Sequence, residues 1–308
     1  MIALVSAPSN LGLRPPEPGS VPGAAKAPEA LREAGLFARF AEHGAVDAGV
    51  VLPARYRDDA DPPAQRLRNH DGIVDHSRRL AERLSTLLDR GAVPLVIGGD
   101  CGILVGIGLA LARRGRYGLV HADGHTDFRH PGNSDACASL AGEDLAAAVG
   151  MHWPTIADLE GRAPYFDPRD VAHVGCRDGD EELDEVRSLL AAVVPAREVI
   201  EHPDASARRV RDVVHASGLD GYWLHVDVDI LDPQFMPAVD SPDDGGLNPE
   251  QLVALLTSLA PGATGAHITV FDPDLDPDGR AAALLADVLV TGLAALGRDL
   301  PSRNDRDG

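Results

Sequence analysis

Apolar, β-branched runs alternate with amphipathic stretches from one end of the chain to the other. The strand-like runs are Ile2–Ser6, Ala45–Leu52, Val93–Ile97, Tyr117–His121, Val171–Cys176, Arg197–Glu201, Tyr222–Asp229 and Gly265–Phe271. Between them lie helical patterns at Ala27–His43, Arg68–Gly91, Ile103–Arg114, Leu140–Gly150, Glu181–Ala192, Ala205–Ser217, Pro249–Leu259 and Gly279–Leu296. Continuous apolar strands separated by helices predict a mostly parallel sheet covered on both faces. A doubly wound three-layer α/β sandwich fits that pattern, and so does a closed β/α barrel. Both bind ligands at the carboxyl ends of strands. Ser9–Pro28 and Tyr56–Pro63 are Pro- and Gly-rich or acidic and read as loops. No shift in composition marks a boundary, so the pattern predicts a single domain over residues 1–302 and a frayed tail, Arg303–Gly308.

Composition narrows the partners. The chain has 308 residues with 48 acidic against 28 basic side chains, a formal charge of −20, and Lys26 is its one lysine. Such a field repels nucleic acid and anionic membrane and mildly favours cations, although solubility alone also explains it. The three cysteines, Cys101, Cys137 and Cys176, are few and far apart, which fits a reducing compartment better than a disulfide framework. The start of the chain lacks a basic segment before its short apolar run, and no stretch approaches the roughly 20 apolar residues that cross a bilayer. The expectation is a cytoplasmic protein acting on a small molecule.

The chemistry concentrates after three apolar runs. His121-Ala-Asp123-Gly-His125-Thr-Asp127 follows Tyr117-Gly-Leu-Val, and alternation along an extended chain would send Asp123, His125 and Asp127 the same way. Two carboxylates flanking an imidazole suit a hard or borderline divalent cation. His225-Val-Asp227-Val-Asp229-Ile-Leu-Asp232-Pro ends another run. Two carboxylates buried there would neutralise themselves unless a cation lay between them. Val96-Ile-Gly98-Gly99-Asp100-Cys101-Gly102 is the third, a strand and tight turn before a helix. Strand-end Asp residues also cap helices, and a lone Cys at a helix start is usually a small core residue.

These motifs, in this order, resemble the signature of the arginase family of ureohydrolases. Ala27-Pro-Glu-Ala-Leu31 resembles that family's opening helix, and Pro237-Ala-Val-Asp-Ser241-Pro with Gly245-Gly-Leu247 extends the likeness. The resemblance implies a three-layer αβα sandwich around a mostly parallel eight-stranded sheet, not a barrel. It also implies two divalent metal ions, Mn²⁺ by family habit, and a homo-oligomer. One ion would be held by Cys101, Asp123, Asp127 and Asp227, the other by Asp123, His125, Asp227 and Asp229. A metal-bridging hydroxide would attack the trigonal carbon of a linear amidine, with Asp127 holding the hydroxide's hydrogen.

The chain departs from that pattern in places that bear on substrate. The family usually has His where Cys101 stands; a thiolate would tilt the site towards Zn²⁺, Fe²⁺ or Co²⁺. A cysteine here also resembles the branch that hydrolyses Nω-hydroxy-arginine, which shares Asp-Gly-His. Val270 replaces the Glu that clamps a guanidinium, leaving Asp272 as a candidate. Asp135 falls at the proton-shuttling His, with His130 the nearest histidine and an ordinary loop histidine as its other reading. Asn133, Asp180 and Ser241 are the remaining substrate-binding candidates, and Asp180 reads equally as a helix cap. The expected activity is hydrolysis of a guanidino, hydroxyguanidino or formimino compound. The alternatives are an amide hydrolase and an inactive relative.

Overall fold

The computed structural model of the protein describes residues 1–59 and 62–300. The reading of a frayed tail at 303–308 lies outside them. The strands are β1 (Ile2–Ala7), β2 (Val46–Val50), β3 (Val93–Gly98), β4 (Tyr117–Ala122), β5 (Val171–Val174), β6 (Ala192–Val194), β7 (Gly221–Asp227) and β8 (Gly265–Thr269). They form one all-parallel sheet in the order β2-β1-β3-β8-β7-β4-β5-β6. Its edges, β2 and β6, are open, which excludes a barrel.

Side chains of each strand alternate between two cores. Leu4, Leu95, Val120, Leu224 and Ile268 pack on one face against the helices Ala27–Glu33, Leu36–Glu42, Pro203–Val214, Pro249–Leu259 and Arg280–Gly292. Val5, Val96, Leu119 and Trp223 pack on the other against His70–Asp89, Leu104–Ala112 and Leu183–Leu189. Burial on both faces is why the strands read as unbroken apolar runs. The result is the three-layer αβα sandwich.

The sixth strand differs from its expectation. Arg197–Glu201 is part of a helix, Ala196–Glu201, and the strand is Ala192–Val194. Pro195 ends the strand and opens that helix. Val199 is buried while Ile200 is 41% exposed, a helical division of faces that a five-residue run of mixed character does not reveal. The predicted helix over Ala27–His43 is interrupted at Gly35, whose φ of 86° turns the chain between two shorter helices.

Sheet order brings β3, β8, β7 and β4 side by side at the centre. Their carboxyl ends carry Cys101, Val270, Asp227 and Asp123. Three motifs up to about 130 residues apart along the chain meet there.

Candidate active site

Each motif leaves its strand through a turn closed by its own aspartate. After β3, Asp100 accepts from Gly102 N at 2.9 Å and from Ser9 Oγ at 2.6 Å. A Cβ on Gly99 would stand 1.8 Å from Ser9 O, so only glycine lets the two segments approach. After β4, Asp123 Oδ1 accepts from His125 N at 2.7 Å, and after β7, Asp227 Oδ1 accepts from Asp229 N at 2.8 Å. The capping and clustering readings of these residues therefore hold together. Strand alternation does not align Asp123, His125 and Asp127, because β4 stops at Ala122 and Asp127 has a φ of 46°. The turn brings Asp123 and His125 together instead, while Asp127 lies outside both donor groups, in the cleft lining and near enough to feel the charge of Asp123.

The cluster is deep and strongly acidic. Cys101 Sγ donates to Asp227 Oδ2 at 2.7 Å and lies 3.1 Å from Thr269 Oγ1. His125 Nδ1 lies 2.8 Å from Asp229 Oδ2, and Gly124 N donates to Asp229 Oδ1 at 3.0 Å. Gly124 is required there, since a Cβ would meet Asp229 O at 2.6 Å. The hydrogen bond from His125, with the charge of Asp229, raises the imidazole to about 9. Burial opposes ionisation of Asp229, but the His125 partnership outweighs it and holds that carboxyl below its usual range. Asp123, Asp127 and Asp227 are pushed well above the carboxylate range, first by burial and then by one another and Asp229. Burial first, then the neighbouring Asp227, raises the Cys101 thiol, so without a cation it is a protonated donor and not the thiolate expected from sequence.

The donor set fits divalent cations. Ligand atoms of Cys101, Asp123, His225 and Asp227 lie within 4.8 Å of one another, as do those of Asp123, His125 and Asp229, so the two groups share Asp123. Asp144 adds a fully buried carboxylate, neither of whose oxygens has a hydrogen-bond partner among the described residues. Burial and the nearby Asp123 push it well above its usual range. Carboxylates gathered this way, with no ion pair to a lysine or arginine among the described residues, need cations or protons to be tolerated.

A cleft of about 470 Å³ opens over the cluster. Its lining includes His125, Asp127, Asp227 and Asp229 from the metal candidates, and Asp180 and Ser241 from the substrate candidates. Asp180 also accepts from Thr126 N at 2.8 Å and Glu182 N at 3.1 Å, so it is a turn cap as well as a wall. Cys101 and Asp123 lie beneath the floor, fully buried. The other candidates lie elsewhere. His130 is 4% exposed, with Nε2 3.0 Å from Glu185 Oε1. Asn133 bonds Phe128 O and Glu185, and Asp135 is exposed on the same loop, so none of the three lines the cleft. Asp272 accepts from Gly23 N at 3.0 Å and Asp274 N at 2.9 Å, turned towards the N-terminal loop. Val270 faces the cleft with a φ of 71°, a left-handed conformation costing a β-branched residue roughly 1–3 kcal/mol.

Sequence reasoning passed over Arg129, Asp144 and Arg177. Arg129 lines the cleft beside Glu182, whose burial-raised carboxyl its charge pulls down, and no hydrogen bond or ion pair of its own is found among the described residues. Arg177 is 7% exposed and gives its guanidinium to the carbonyls of Gly175, Asp229, Leu231 and Asp243, tying the ends of β5 and β7 together. Asp144 opens a short helix, and nothing in its local pattern points to the site.

The sequence model of the Arginase family matches residues 2–294. The chain is 28% identical to the arginase of Bacillus caldovelox over 266 residues, covering 83% of this chain and 88% of that one. It is 29% identical to the arginase of Brucella abortus over 312 residues, covering 95% and 97%. The native structure of the Bacillus caldovelox arginase superimposes with a TM-score of 0.83 at 25% identity, covering 97% of this chain and 99% of that one. With its central parallel strands, its acidic cluster and this likeness over nearly the whole length, the chain belongs to the arginase family, metal-dependent hydrolases that cut C–N bonds of linear amidines.

Proposed function

We propose that the protein is a binuclear metal-dependent amidine hydrolase whose substrate carries a weakly basic or uncharged amidine, such as a hydroxyguanidino or formimino group. The observation that carries the reading is the pair of donor groups sharing Asp123 just beneath the floor of the cleft. Cys101, Asp123, Asp127 and Asp227 would hold one ion and Asp123, His125, Asp227 and Asp229 the other. Mn²⁺ follows from the family, and Zn²⁺, Fe²⁺ or Co²⁺ from the softer cysteine. When bound, such ions acidify a water and polarise the carbon it attacks.

The chain's own residues do the rest. Asp127 faces the cleft and is placed to hold the hydrogen of the attacking water and to deliver a proton to the leaving amine. His130 and Asp135 lie off the cleft, so that delivery does not pass to them. Val270 supplies no anion, and Asp272 is engaged with Gly23 and Asp274. A fully charged guanidinium would therefore enter without an anion at the 270 position, where the clamping Glu would stand, to offset its desolvation there. The unpaired Arg129 supports a substrate with a carboxylate at its far end, steadied by Ser241 and Asp180 through its other polar groups. The family and the cytoplasmic reading of composition support a homo-oligomer acting on small soluble metabolites.

The test is a product screen on metal-loaded protein. Incubation with hydroxyguanidino, formimino, guanidino and amide compounds should release hydroxyurea from the first class and formamide from the second. Release only from simple amides, or from none, would contradict the proposal. An inactive protein that still bound metal would favour a regulatory relative.

A further inference from the structure

A row of buried histidines crosses the sheet beneath the cleft. His173 of β5, His121 of β4, His225 of β7 and His267 of β8 occupy matched registers on neighbouring strands, and all are fully buried. His121 and His225 each precede a metal-site aspartate by two residues, so in an extended strand they share its face. Hydrogen bonds fix where the protons lie on one arm of this row. Trp223 Nε1 carries a hydrogen and can only donate, and it lies 2.8 Å from His267 Nδ1. That nitrogen must be bare, so His267 is neutral and carries its proton on Nε2. His267 Nε2 lies 2.6 Å from His225 Nδ1, which must therefore accept. His225 is then also neutral, with its proton on Nε2, and that atom faces Asp123 Oδ2 at 3.4 Å. The ring of His121 stacks on His225 at 4.2 Å and 5°, holding it in plane.

We infer that Trp223, His267 and His225 form a one-way hydrogen-bond relay across three strands that positions Asp123, the carboxylate shared by the two donor groups. This rests on the reading of Asp123 as a metal-site carboxylate. Asp123 is then oriented at both oxygens, by His125 N on one side and His225 Nε2 on the other. His225 lies among the atoms that could surround an ion. Its proton makes it a positioning residue, not a ligand, because an ion on Nε2 would force a second hydrogen against the Trp223 N–H. The same direction of relay keeps two histidines neutral inside the sheet.

Side-chain ¹⁵N NMR of the metal-free protein reads the relay directly. His225 and His267 should both be neutral with the hydrogen on Nε2. A hydrogen on Nδ1 of either ring, or a doubly protonated ring, would overturn the inference. A second arm compares His225→Gln, whose amide retains a donor near the Nε2 position, with His225→Leu, by equilibrium Mn²⁺ titration. Loss of an outer partner of a metal ligand typically weakens affinity 10–100-fold. His225→Leu should show that loss and His225→Gln should recover most of it. Equal weakening in both would mean that His225 ligates the ion, and the relay would fall. If the unaltered protein bound no metal at all, the proposed function would fail, while the ¹⁵N signals would still decide the relay.

Discussion

Cys101 and Asp227 share a hydrogen bond, Sγ donating to Oδ2 across 2.7 Å, at the point where β3 and β7 turn into the site. The thiol's hydrogen bond opposes, without cancelling, the upward push that burial and then the neighbouring Asp229 and Asp123 give this carboxyl. A cation entering at this point must displace the thiol proton, so its binding becomes pH-dependent in a way that an imidazole would not impose. Cys101→His should shift the preference towards Mn²⁺ and remove that proton release, as read by competitive metal titration with pH indicator. Unchanged preference and unchanged proton release would assign the cysteine to packing alone.

Asp227→Ala should lower amidine hydrolysis by more than about 100-fold, beyond the 10–100-fold expected from losing an outer-sphere partner. It should also cut the rise in thermal midpoint that added metal produces, because ligand binding to the native state is what supplies that rise. Calorimetry with and without Mn²⁺ checks the second effect independently of activity. A variant that kept the full metal-induced shift would place the ions elsewhere.

The metal-free protein should lose stability as pH rises from neutral to alkaline, above the weakly acidic range in which the buried His121, His173, His225 and His267, held low by burial, add the opposite slope. Asp123, Asp127, Asp144 and Asp227 have raised carboxyls, and His125 is raised to about 9. The native state therefore binds more protons than the unfolded chain through this window, which makes stability fall with pH. The His125 share is complete below its unfolded value of about 6.5 and is lost as pH climbs through about 9. Asp229, held low, contributes the opposite slope only at and below the ordinary carboxylate range. Thermal melts of chelator-treated protein should show the decline and Mn²⁺ should flatten it. A midpoint rising with pH over this window in the chelated protein would contradict the placement of these charges.

L-Arginine and agmatine should be poor substrates, turned over far below the median enzyme rate of about 10 s⁻¹. Val270→Glu would add the missing anion at a position facing the cleft. It also replaces a β-branched residue in a left-handed conformation, so the fold should tolerate it. Steady-state kinetics should show arginine turnover rising by at least about tenfold, equivalent to 1.4 kcal/mol of transition-state stabilisation. Fast arginine turnover by the unaltered protein would refute the argument.

Arg129→Met should raise KM for carboxylate-bearing amidines by about 10-fold or more, the scale of one charge-assisted contact. kcat should change little, and substrates lacking the carboxylate should be unaffected. An equal effect on both substrate types would mean that Arg129 shapes the cleft without reading a carboxylate.

Much of this was legible because β3, β4 and β7 are apolar runs ending abruptly in charged residues, a contrast that survives without knowledge of neighbours. The sixth strand was not legible. Ala192-Val-Val194 is too short to declare itself, and the β-branched Val199-Ile200 pair within Arg197–Glu201 imitates a strand. Within the site, Asp123 and His125 fall in one donor group through a turn and not through strand alternation, and Asp127, with its positive φ, lies outside that group. Asp272 could not be placed from sequence because its partner, Gly23, is 249 residues away. The His-x-Asp spacing at 121–123 and 225–227 did carry a signal for the histidine row, through the two-residue period of a strand.

The measurement that bears most directly on the account is anomalous diffraction from crystals grown with Mn²⁺, backed by elemental analysis of the same protein. Two ions per chain are expected, roughly 3.5–4 Å apart as in other two-metal sites. Asp123 and Asp227 should touch both, Cys101 one and His125 the other. Ions bound elsewhere, or none, with Asp123 and Asp227 left as protonated carboxyls, would contradict the central claim.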